Sequence, residues 1–76
     1  MLNRYEGFNR LYWESSYAIV LALMETYPGV DLNSVGLMQL RDWIVALPNF
    51  ADDPDLANDA ILTGILREWY EEANAE

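Results

Sequence analysis

Apolar residues along this 76-residue chain gather into clusters separated by proline. Punctuation at Pro28-Gly29, Pro48-Asn49 and Asp53-Pro54 cuts the sequence into an N-terminal arm and three apolar segments. No stretch alternates apolar and polar positions for long, and no Asn-Gly or Asp-Gly turn occurs, so strand signals are weak. There is no internal repeat and no low-complexity tract. The pattern predicts an all-α fold with three core helices.

The first predicted helix runs from Ser16 to Tyr27. Ser15 or Ser16 offers a side-chain oxygen to an unpaired amide of the first turn. Pro28 ends the helix, because the residue before a proline is pushed out of the α region. Tyr17, Ile19, Val20, Leu21, Leu23 and Met24 leave almost no polar face before Glu25. A helix apolar all round must be covered on more than one side. The second helix runs from about Val35 to Leu47, with Asn33 or Ser34 as cap and Pro48 as stop. Leu37, Leu40, Ile44 and Leu47 fall on one stripe, with Trp43 beside it.

The third helix presents Ile61, Leu62, Ile65, Leu66, Trp69 and Tyr70 on one face and Thr63, Gly64, Arg67, Glu68 and Glu71 on the other. Asn58 or Asp53 caps it, and Pro54 suits a first helical turn. Gly64, in mid-helix, costs about 1 kcal/mol relative to Ala. In the arm, Tyr5, Phe8 and Tyr12 recur at helical spacing. A short arm helix packed on the first core helix would cover its extra apolar surface; a homodimer through that helix, or a partner protein, would do so equally. Trp43 and Trp69 are expected in the core. Trp13, ahead of the first helix, suits either core or a partner-facing anchor.

Composition narrows the function. A domain this short buries only about 60% of the surface its unfolded chain exposes. The chain has no Cys and no His, and its four basic residues are all Arg. Thiol chemistry, imidazole catalysis, Cys/His zinc sites and His- or Cys-ligated haem are therefore excluded, and no disulfide supports the fold. Thirteen carboxylates give a net charge of −9, which argues against nucleic-acid binding, since affinity for phosphate backbones comes from Lys and Arg. The longest apolar run, Tyr17 to Met24, is far short of the roughly 20 residues of a membrane helix. A soluble, cytoplasmic protein is expected. The charge is uneven: residues 42–76 hold nine carboxylates against Arg67 alone. Such a field steers a basic partner.

Two chemistries deserve weighing. Asp52, Asp53 and Asp55 place three carboxylates in four positions, able in principle to hold a hard cation such as Mg²⁺, Ca²⁺ or Fe²⁺. The loop lacks the glycine and closing glutamate of an EF-hand. The plainer reading is a solvated loop in which Asp53 caps the next helix. Catalysis has less support. Acid–base carboxylate pairs need burial to separate their pKa values, and nothing in the pattern indicates it. Ser15, Ser16 and Ser34 have no imidazole or lysine to activate them, and no glycine-rich phosphate loop is present. The chain is not expected to be an enzyme.

The spacing of the punctuation carries a further signal. Trp13-x-x-Ser16, Tyr27-Pro28, Asp31, Val35, Trp43-Ile44, Leu47, Phe50, Asp52-Asp53-Pro54, Asn58, Leu62, Ile65, Trp69 and Glu71-Glu72 follow one another in order and without gaps. The series resembles the IscX family, small acidic accessory proteins of bacterial iron–sulphur cluster assembly. The resemblance divides the chain into an extension at 1–12, a helical domain at 13–72 and a tail at 73–76. It implies a modified winged-helix arrangement without DNA binding. It also implies docking to the cysteine desulfurase that supplies sulphur, and weak ferrous iron binding through surface carboxylates.

Carried over by position, the partner-facing carboxylates are Asp31, Asp52, Asp53, Asp59, Glu71 and Glu72, with Glu25 also acidic where the family is. Asp52, Asp53 and Asp55 are the weak metal candidates, and no tightly bound cofactor is implied. Some positions depart from the family. Ser15, Leu21 and Gly29 stand where acidic residues are frequent. Gly36-Leu37-Met38-Gln39 replaces an Arg-Phe-Thr-Asp stretch, and Arg41 replaces a His. These changes thin the acidic surface near the first helix. The alternatives are an acidic metal- or protein-binding module unrelated to cluster assembly, or a nucleic-acid mimic. A mimic would space its charges along an extended surface rather than concentrate them at one loop and one helix.

Overall fold

A computed structural model describes residues 10–75. Three helices form its body: α1 (Ser16–Thr26), α2 (Leu37–Val45) and α3 (Asp59–Ala73). Short 3-10 turns at Leu32–Ser34 and Pro54–Leu56 lead into α2 and α3. Among the described residues there is no strand, only one isolated parallel bridge between Leu11 and Phe50. The expected all-α class holds.

One local device is used twice. Asp31 accepts from the Asn33 amide at 3.1 Å, and Asp53 accepts from the Asp55 amide at 2.9 Å. Each bond closes an Asx turn that starts a 3-10 turn. Each aspartate lies five residues before the N-cap of the following helix, Gly36 for α2 and Asn58 for α3. Sequence reading offers Asn58 or Asp53 as caps of one helix; in fact Asn58 caps α3 through the Ile61 amide, and Asp53 caps the turn before it. Asn33 and Ser34 do not cap α2. They lie inside the first 3-10 turn, where Ser34 Oγ donates to Asp31. Ser15 occupies the N-cap position of α1 but makes no capping bond, and the Ser16 hydroxyl turns instead to Glu68.

α1 packs mainly on α3, and α2 closes the remaining side. Ile19, Val20 and Leu23 of α1 meet Leu40 and Ile44 of α2 and Leu62, Ile65 and Trp69 of α3 in one buried cluster. No polar or charged side chain of the described residues is buried. Tyr70, expected on the buried face of α3, is 53% exposed. It sits about 100° round the helix from Trp69, beyond the stripe that α1 and α2 can reach.

The N-terminal boundary also moves. Leu11, read as part of an extension, is 1% exposed and belongs to the core. Its amide donates to Asn49 O and its carbonyl accepts from Ala51 N, both at 2.9 Å. The expected arm helix therefore does not reach Tyr12; Tyr5 and Phe8 lie outside the described residues. Tyr17 and Leu21 of α1 remain 53% and 43% exposed. Leu21 lines a groove of about 420 Å³ with Ala18, Ala22, Leu47 and Pro48. Trp13 resolves to the core, edge-on to Phe50 with ring centroids 5.0 Å apart.

Candidate functional site

The carboxylates singled out by sequence do not form one patch. α3 divides them. Asp52, Asp53, Asp55 and Asp59 lie on the loop before α3 and at its first residue, whereas Glu71 and Glu72 lie in its last turn. At 1.5 Å per residue, Asp59 and Glu71 stand about 18 Å apart along the axis.

The entry pole is partly committed to holding the fold. Asp52, half-buried, accepts the Trp13 amide on Oδ2 at 2.9 Å and the Asp53 amide on Oδ1 at 2.7 Å. The Trp13 indole Nε1–H donates to the Asp53 carbonyl at 2.7 Å. Asp53 uses Oδ1 on the Asp55 amide. Asp55 is 91% exposed and stands 3.9 Å from the Arg41 guanidinium, which also lies 3.5 Å from Asp42. Exposed pairs of this kind contribute about 0–1 kcal/mol. Asp59 is exposed in the first turn of α3, where the helix dipole favours a negative charge.

This geometry does not suit the metal triad suggested by spacing. Both oxygens of Asp52 and Oδ1 of Asp53 accept backbone amides, and Asp55 Oδ1 lies 3.9 Å from Arg41. Among the described residues no three Asp or Glu side chains come together closely enough to hold a metal ion. The reason is local: an Asp-Asp-Pro-Asp sequence entering a helix uses its carboxylates to cap turns.

The exit pole has a different character. Glu71 and Glu72 occupy the end of α3 where the dipole disfavours negative charge, and no basic residue lies in that turn. Glu71 is exposed and Glu72 half-buried. Beside them is an apolar cup of about 350 Å³ lined by Met24, Tyr27, Pro28, Gly29, Val30, Trp69 and Ala73. Asp31 follows Val30 directly and is exposed. Gly29, at φ +79°, makes the left-handed turn that folds Pro28 to Val30 into the wall of the cup. Sequence reading missed this cup, because its lining comes from α1, the following loop and α3. It also missed Glu68, whose Oε1 accepts from Ser16 Oγ at 2.8 Å and ties α3 to the start of α1.

The family model described as iron–sulphur cluster assembly matches residues 11–74, from the buried Leu11 to just past the end of α3. This chain belongs to that family, of the IscX type. An uncharacterised protein of Pseudomonas aeruginosa is 39% identical over 62 residues, covering 82% of this chain and 94% of that protein. In this IscX-type chain, then, the family match takes in both acidic poles and the whole helical body. No helix among the described residues is long and apolar enough to cross a membrane.

Proposed function

We propose that this chain is an accessory protein of iron–sulphur cluster assembly that docks through its surface carboxylates onto the cysteine desulfurase supplying sulphur. It acts in the cytoplasm by occupancy, without catalysing a reaction itself. One observation carries the reading beyond family membership: none of the described carboxylates is buried, and among the described residues only Asp42 and Asp55 form ion pairs, both with Arg41. Asp52, Asp53 and Glu68 accept internal hydrogen bonds, but exposed carboxylates such as Asp31, Asp59 and Glu71 have no ionic partner among the described residues, and a basic surface is their complement.

The test is a pull-down of the cognate cysteine desulfurase on the immobilised chain at low and high salt. Binding at low salt that weakens as salt rises supports the reading, because exposed charges are screened beyond a Debye length of about 10 Å at 0.1 M. Absence of binding at low salt refutes it.

A further inference from the structure

The cup at the exit pole combines features that no single segment of the chain announces. Its inner wall is aromatic. Trp69 is only 2% exposed, yet it contributes to the lining, and Tyr27 stands beside it. Tyr27 is stacked on Trp43 with centroids 4.0 Å apart and planes 16° from parallel, and Trp43 lies 6.3 Å from Trp69. The three rings form a connected block that holds the wall in place. Met24, Val30 and Ala73 complete an apolar lining.

The setting of the cup is negative. α1 ends at Thr26 and α3 at Ala73, so both helices bring their C-terminal ends to it. Each such end carries roughly half an elementary negative charge. Neither last turn contains a basic residue. Glu72 precedes Ala73 on α3 and Asp31 follows Val30. None of the basic residues Arg10, Arg41 and Arg67 lines the cup. An apolar, aromatic hollow in a negative field suits a group with an apolar stem and a delocalised positive head. A cation over the face of Trp or Tyr within about 6 Å gains further attraction, and arginine does so more often than lysine.

We infer that this cup is a receptor for one arginine side chain of a basic protein partner: the stem packs on Met24, Val30 and Ala73, and the guanidinium meets Tyr27 and Trp69 at the joint C-terminal ends of α1 and α3. The cup stands on geometry alone; its use by the desulfurase rests on the function proposed above. The apolar contact gives the docked complex a fixed point that outward carboxylates cannot, since surface charges steer without fixing register.

The experiment has two arms on the full chain. In the first, heteronuclear NMR follows the indole N–H signals of the three tryptophans during titration with N-acetyl-arginine amide. The uncharged isostere N-acetyl-citrulline amide is the control. A saturable shift of Trp69, with Trp13 unmoved and no matching response to citrulline, is expected. An equal response to citrulline, or shifts spread over exposed carboxylates with Trp69 silent, overturns the cup as a cation receptor. In the second arm, Ala73→Trp fills the cup at an exposed position and Glu72→Gln lowers the field beside it. Each should weaken desulfurase binding at least fivefold, while Gly64→Ala, in mid-α3 and outside the lining of the cup, changes it less than twofold. Unchanged Trp13 and Trp43 signals in the variants verify that the core is intact. Binding as tight as wild type in Ala73→Trp overturns the docking role. Failure of the wild-type chain to bind the desulfurase refutes the proposed function and the docking role with it, and leaves the arginine titration to decide the cup.

Discussion

Trp13 and Asp52 are joined across 39 residues by a hydrogen bond from the Trp13 amide to Asp52 Oδ2 at 2.9 Å. The same tryptophan donates its indole N–H to the next carbonyl along, that of Asp53. These two bonds, with the Leu11–Phe50 bridge, fasten the chain ahead of α1 to the loop ahead of α3. A carboxylate that looks like part of a docking or metal surface is here a clasp.

Asp52→Ala should therefore destabilise the domain. Hydrogen bonds to a charged group contribute about 1.5–3 kcal/mol, and removal leaves the half-buried Trp13 amide without its acceptor. Asp52→Asn should cost less, because the amide oxygen still accepts one bond. Urea unfolding followed by tryptophan fluorescence measures both. Equal stability of wild type and Asp52→Ala would show that the clasp contributes nothing.

The capping pattern predicts an ordered series. Asn58→Ala removes the acceptor for the Ile61 amide and should cost about 0.5–2 kcal/mol. Asp53→Ala should fall in the same range through the Asp55 amide. Ser15→Ala should be close to neutral, because Ser15 holds the N-cap position of α1 without a capping bond. Chemical denaturation of the three variants ranks them directly.

Gly64 lies in mid-α3, exposed, with nothing within 4 Å of where a Cβ would stand. Gly64→Ala should therefore stabilise the domain by about 1 kcal/mol through helix propensity alone. It should leave desulfurase binding unchanged, since neither acidic pole nor the cup is touched. A thermal melt and the pull-down together check both halves.

Titration with Fe²⁺ should give no localised response at Asp52, Asp53 and Asp55. Asp52 uses both oxygens and Asp53 one on backbone amides, and Asp55 Oδ1 faces Arg41, so weak broadening shared among exposed carboxylates is the expected NMR outcome. Broadening confined to these three residues would mean that the loop rearranges to bind metal.

Helix identity was legible because it depends on spacing within one segment. Leu40, Ile44 and Leu47, or Leu62, Ile65 and Trp69, declare a buried stripe without reference to the rest of the fold. The exposure of Tyr70 is not legible, because periodicity says which residues are neighbours on a helix, not how wide a face the packing covers. Leu11 is hidden for the opposite reason: the spacing of its own segment does not mark it, and only pairing with Asn49 and Ala51 makes it core. The acidic residues were found, but not their division. Asp52 and Glu72 read alike as letters; one is turned toward a backbone amide and the other sits at the wrong end of a helix dipole.

That last turn has a consequence for observing the molecule at work. It is closed by an uncharged group, the Asn74 side chain, whose Nδ2 donates to Tyr70 O at 2.7 Å, while Glu71 and Glu72 oppose the electrostatics of their own helix. Such an end frays readily. A positive group arriving beside it relieves the opposition and tightens the turn. Amide hydrogens at 73–75 should then exchange with solvent more slowly, so the terminal backbone itself registers occupancy without any label.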